Sequence, residues 1–149
     1  MLILVTAHHS EREFARRVAT RLRMATPLPT AHLVKAVDGR IAPEFVKAID
    51  AADRTLLLVT LSTTSMRTAQ RLLKFTSGIG VGADRVLVIA HGLRESHDIG
   101  ARELGDLLQR EIYWELVPND ATPAEIEASY AGLAAKLGLS SDSGLSART

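Results

Sequence analysis

Five short apolar runs alternate with five helical patterns along this chain. Leu2 to Thr6 reads as the first strand. Ser10, with Glu13 three residues on, forms a capping box that starts a helix. The apolar face of that helix is Phe14, Val18 and Leu22, at i, i+4 and i+8. Pro27 and Pro29 make Met24 to Thr30 a loop. The second strand spans about His32 to Val37 and is ended by Asp38-Gly39. Pro43 lies near the start of a short helix carrying Phe45, Val46 and Ile49. Thr55 to Thr60 has an unbroken apolar centre, which marks a strand buried on both faces.

A third helix is predicted over about 64–75. Met66, Ala69, Leu72 and Leu73 point inward, while Arg67, Arg71 and Lys74 make an outer stripe at i, i+4 and i+7. Gly78, Gly80 and Gly82 form a link to a fourth strand, Arg85 to Ala90. A helix over about 98–110 follows, with Ile99, Leu104, Leu107 and Leu108 as its apolar residues. The fifth strand, about Ile112 to Val117, stops at Pro118-Asn119-Asp120. Thr122, Pro123 and Glu125 supply a cap, a first-turn proline and a capping box for the last helix. Its inner face is Ile126, Tyr130, Leu133 and Leu137, and Gly138 is placed to stop it.

Strand–helix alternation with right-handed crossovers predicts an α/β fold. The expected architecture is a three-layer sandwich: an open, mainly parallel five-stranded sheet with helices on both faces. One α/β domain is expected over residues 1–139, with a Ser-rich disordered tail over 140–149.

Composition narrows the function classes. The chain is 46% hydrophobic but only 4% aromatic, so Leu, Val, Ile and Ala must make the core. A formal net charge of +1 argues against a strongly electrostatic nucleic-acid binder, and no nucleic-acid partner is expected. There is no cysteine, which removes disulfides, thiolate metal sites and cysteine nucleophiles. No apolar run approaches the roughly 20 residues of a membrane span. Met1 leads straight into the first strand without a basic region, so no signal peptide is expected and the cytoplasm is the expected location.

Candidate chemistry sits at strand ends. His8, His9 and Ser10 follow the first strand, and His91 ends the fourth. They are candidates for a metal or phosphate site, against a bland reading as a solvated turn and a helix cap. Asp38 and Asp120 also follow strands, whereas Asp53 and Asp84 precede theirs, at the opposite edge. Thr60, Ser62, Thr63, Thr64 and Ser65 form a hydroxyl-rich turn that caps the third helix or holds an anion. Arg67, Arg71 and Lys74, with Arg12, Arg16, Arg17, Arg21 and Arg23 of the first helix, are candidates for contact with an acidic partner or anionic lipid. No catalytic residue, metal or cofactor is assigned.

Three segments together carry a family resemblance: Ala52 to Thr60, Ser65 to Leu73, and Pro118-Asn119-Asp120. Their order and spacing resemble the later part of the MinD/ParA superfamily of deviant-Walker ATPases. The CpaE/TadZ branch, which places and builds bacterial pili, is the most similar. The resemblance runs from about Leu33 to Leu137. It implies protein partners in a pilus or secretion apparatus, self-association and, at most, peripheral membrane contact. The departures concern the nucleotide. Where the family has a glycine- and lysine-rich phosphate loop after its first strand, this chain has Ala7-His8-His9-Ser10. Where the family has an acidic residue that orients magnesium and water, this chain has Val37, with Asp38 one place on. The family's base-reading Asn-Arg pair is replaced near Ala90-His91.

Three functional readings follow. The first is a non-catalytic MinD/ParA-like protein of the CpaE/TadZ kind that acts by protein–protein docking in the assembly or localisation of a pilus or secretion apparatus. The second is a flavodoxin-like degenerate receiver domain, which requires the strand order 2-1-3-4-5. The third is a small enzyme using His8, His9 or His91. If the family's phosphate-loop strand is missing, two strands need new neighbours, through dimerisation or a rearranged sheet.

Overall fold

The run Leu56-Leu57-Leu58-Val59 organises the molecule, because alternate residues of a strand face opposite sides. In the computed structural model, which describes residues 2–6, 12–25, 34–37, 43–91, 100–118 and 121–138, all four side chains are buried. Leu57 and Val59 enter one core and Leu56 and Leu58 the other.

The elements are β1 (Leu2–Thr6), α1 (Arg12–Met24), β2 (Val34–Val37), α2 (Pro43–Ala51), β3 (Arg54–Thr60) and α3 (Thr63–Gly78). A 3-10 turn (Ala83–Arg85) leads to β4 (Val86–His91), α4 (Ala101–Leu108), β5 (Ile112–Leu116) and α5 (Pro123–Lys136). The strands pair in the order β2-β1-β3-β4-β5, and each pair is parallel. This is the flavodoxin-like doubly wound order. β1 pairs with both β2 and β3.

The two cores cover the two faces. Ile3, Val5, Leu57, Val59, Val88 and Ala90 pack with α2, α3 and α4. On the other face, Leu56, Leu58, Ile89 and Leu116 pack with α1 and α5. β5 changes face part-way. Val88 pairs with Ile112 but Ile89 with Trp114, which leaves Tyr113 as an extra residue. Ile112 therefore joins the α2–α3–α4 side and Trp114 the α1–α5 side.

Arginines at the amino edge of the sheet tie it to helix ends. Arg54 donates to the Leu137 carbonyl at 2.6 Å. Arg85 donates to the Ala52 carbonyl at 2.7 Å, beyond the end of α2. Both bonds place a cation at the negative end of a helix. Arg110 donates to Ala83 and Val86 carbonyls at 2.9 and 3.1 Å.

Several boundaries differ from expectation. α3 continues to Gly78, because Thr76 is buried and its hydroxyl donates to the Leu73 carbonyl at 3.0 Å, inside the helix. The turn out of α3 falls instead at Gly80, whose φ of +89° suits glycine. Leu107 is not part of the core face of α4; it is 42% exposed, while Leu104 and Leu108 are buried. The capping box on α5 forms as expected, with Thr122 accepting from the Glu125 N–H. The capping box expected at Ser10 lies outside the described residues.

Candidate functional site

Ligands of open parallel sheets bind beyond the carboxyl ends of the strands, where the winding direction reverses. Here that point lies between β1 and β3, which share β1's carboxyl end at the pairing of Thr6 with Leu58. The described part of this edge is the turn from Thr60 to Ser65 and the end of β4 at His91.

The turn is closed by its own hydrogen bonds. Ser62 is the N-cap of α3, and its hydroxyl accepts from the Ser65 N–H at 3.2 Å. The buried Ser65 hydroxyl accepts from the Thr60 N–H at 3.1 Å. The Leu61 N–H reaches the His91 carbonyl at 3.0 Å, and the Met66 N–H reaches the Ser62 carbonyl at 2.9 Å. Ser62 and Ser65 therefore shape the turn and start the helix. The first turn of α3 carries no acidic residue.

His91 pairs with Thr60 on one side and Leu116 on the other. It is 2% exposed, so its ring belongs to the interior of the sheet end and not to an open cleft. β1 and β4 flank β3, so their axes are separated by two strand spacings, about 10 Å. His8, His9 and Asp38 lie outside the described residues, as do Asn119 and Asp120. Among the described residues, no group of three or more His, Cys, Asp and Glu is placed to hold a metal.

The basic candidates separate by environment. Arg67, Arg71 and Lys74 are all exposed on the outer face of α3, opposite the buried Met66, Ala69, Leu72 and Leu73. α3 contains no Asp or Glu. Arg12 opens α1, and Arg16 is exposed one turn later. Arg54, by contrast, is half-buried and structural, a role that its position before an apolar strand does not disclose.

Among the described residues, two cavities lie beside the outer helices. One, of about 790 Å³, runs between α4 and β5 and includes Arg102, Asp106, Tyr113 and Glu115. The other, of about 670 Å³, lies between α1 and α5 and includes Met24, Ile126, Glu127 and Tyr130. Burial pushes the Tyr130 hydroxyl above the usual tyrosine pKa, against the opposing charge of Arg21, whose guanidinium carbon lies 5.7 Å from the ring centroid. Tyr113 is also raised by burial.

Comparison with solved structures gives the fold a relationship. A ParA family ATPase from Chlorobium tepidum TLS matches with a TM-score of 0.59 and 16% identity, over 68% of this chain and 49% of that one. The chain has a MinD/ParA-like fold. The MinC:MinD cell division protein complex from Aquifex aeolicus matches with a TM-score of 0.52 and 13% identity, over 86% of this chain and 73% of that one. The chain thus spans about half the length of the ParA family ATPase it matches. No family model matches the sequence, and no curated protein does. No helix among the described residues is long and apolar enough to cross a membrane.

Proposed function

We propose that this chain is a non-catalytic MinD/ParA-like protein of the CpaE/TadZ type. It works in the cytoplasm by docking to other proteins of a pilus or secretion apparatus, and it neither binds nor hydrolyses ATP by itself. The observation that carries this reading is the outer face of α3, where Arg67, Arg71 and Lys74 are exposed on a helix without a single carboxylate. Such a face is complementary to an acidic partner and repels a basic one. The MinD/ParA-like fold supports the kind of protein, and the MinD match is to a structure in which MinD is held in a protein complex. The sequence Ala7-His8-His9-Ser10 supports the absence of catalysis, since it offers neither glycine nor lysine to a phosphate.

The test is complementation. In a strain lacking the gene, the wild-type chain restores pilus assembly, whereas the triple variant Arg67→Glu, Arg71→Glu, Lys74→Glu does not, although it accumulates in folded form. Full complementation by the folded triple variant removes the docking role of α3. No pilus defect in the deletion strain removes the apparatus.

One observation favours the second reading. The order β2-β1-β3-β4-β5 is that of flavodoxin-like domains, receivers included. In a degenerate receiver the same exposed helices transmit a signal, and loss of the gene alters transcription or motility with pili intact. The enzyme reading loses ground at His91, whose burial keeps substrate from its ring.

A further inference from the structure

Arg67, Arg71 and Lys74 find no counter-charge at home. Among the described residues, no hydrogen bond or ion pair engages any of the three, whereas Arg54, Arg85 and Arg110 each bond a backbone carbonyl. The row runs along about two turns of α3, or roughly 10 Å of helix.

α4 brings an apolar side chain to the same row. The Gln70 amide donates to the Leu107 carbonyl at 3.0 Å, which satisfies one of the last carbonyls of α4 and fixes its end against the middle of α3. Gln70 directly precedes Arg71, so Leu107, 42% exposed, lies beside the cations. One exposed leucine is ordinary. A leucine laid along three unpaired cations makes a surface of two kinds. Glu103, exposed one turn before Leu107 on α4, marks where the cationic ground ends.

This layout selects the occupant. Carboxylates belong over α3 and an apolar group over Leu107, and Glu103 repels the reverse placement. An extended segment turns alternate residues to opposite sides, so it offers a single line of side chains. An amphipathic helix offers two neighbouring stripes, and acids at i, i+4 and i+7 repeat the spacing of Arg67, Arg71 and Lys74.

We propose that the α3–α4 ridge receives an acidic amphipathic helix of a partner protein, with its carboxylates on Arg67, Arg71 and Lys74 and an apolar side chain on Leu107. The proposal rests on the docking role of α3 and adds the chemistry of the partner and its anchor.

The probe is a fluorescein-labelled peptide of about 15 residues, with Glu at i, i+4, i+7 and i+11, Leu one place after each, and Ala elsewhere. Fluorescence anisotropy with the full chain shows saturable binding that weakens as salt rises. Leu107→Gln weakens it by at least about tenfold, the usual effect of losing an apolar anchor. The triple variant Arg67→Glu, Arg71→Glu, Lys74→Glu abolishes it and binds instead the peptide with Lys in place of Glu. Met24→Gln, an exposed apolar residue of α1 on the other face of the sheet, leaves it unchanged. Far-ultraviolet dichroism checks that each variant is folded. No saturable binding at millimolar peptide overturns the proposal, as does binding indifferent to Leu107→Gln. Capture by phosphatidylglycerol vesicles, lost in the triple variant, without peptide binding gives the row to a membrane and also overturns it. Pilus complementation separates this proposal from the reading beneath it. Loss of complementation in both the triple variant and Leu107→Gln supports the anchored helix. Loss in the triple variant alone overturns the anchor and leaves the docking role of α3 standing.

Discussion

Arg54 donates to the Leu137 carbonyl at 2.6 Å, joining the first residue of β3 to the end of α5 across 83 positions of sequence. The bond holds the start of the central strand against the last helix of the fold. A charged donor at a helix carboxyl end is among the stronger hydrogen bonds available to a protein. Replacing Arg54 by Met keeps the aliphatic stem and removes the donor. We expect a loss of about 1–2 kcal/mol in urea unfolding, with Lys at the same site recovering part of it. An unchanged midpoint would show that the carbonyl is equally well served by water.

Gly132 lies where a side chain does not fit. A Cβ there meets the Trp114 ring at 2.7 Å. In an open helix, Gly→Ala is worth roughly 0.5–1 kcal/mol of stabilisation, so the sign separates the two situations. We expect Gly132→Ala to destabilise by about 1–3 kcal/mol as Trp114 is displaced. Trp114 is the single tryptophan, so its emission reports the displacement directly. Trp114→Leu in the same chain should relieve most of the loss.

Tyr130 links stability to alkaline pH. Its pKa is raised by burial, so the folded state holds the proton more tightly than the unfolded chain does. The stabilisation is complete below the ordinary tyrosine pKa of about 10 and is lost as pH rises through the higher folded value. Melting curves should therefore fall above about pH 10, and Tyr130→Phe should flatten that part of the fall. An equal decline in both proteins would place the alkaline loss elsewhere.

Thr122 and Glu125 close a capping box at the start of α5, with the Thr122 hydroxyl 2.8 Å from the Glu125 carboxylate. Thr122→Ala should cost about 1 kcal/mol, as N-cap losses usually do. Thr122→Ser should cost little. Hydrogen exchange confined to the first turn of α5 is the measurement that localises the effect.

Much of the fold was legible because its signals are local. The unbroken apolar run Leu56 to Val59, the Thr122–Glu125 box and the i, i+4, i+7 stripe of α3 each depend on a few neighbouring residues. What was not legible depends on distant ones. The extra residue Tyr113 in β5 arises from its pairing with β4, and nothing within Ile112 to Leu116 marks it. Leu107 fits an apolar helical pattern but faces out, because Leu104 and Leu108 already fill the contact with the sheet. The site divides in the same way. The hydroxyls of Ser62 and Ser65 were readable as capping groups, since a helix start asks for them. The burial of His91 was not, since a strand-end histidine can face either a cleft or its neighbours. Arg54 was visible as part of Ala52-Asp53-Arg54, but its carbonyl partner is 83 residues away.

Binding of magnesium ATP tests the central claim most directly. A ligand held at a hundredfold above its dissociation constant stabilises the folded state by about 2.7 kcal/mol, enough to raise the melting temperature by several degrees in a chain of this size. The full chain, melted with and without millimolar magnesium ATP, should show the same midpoint, and phosphate release should stay at the level of a protein-free control. A raised midpoint with saturable concentration dependence, or steady phosphate release, would contradict the account.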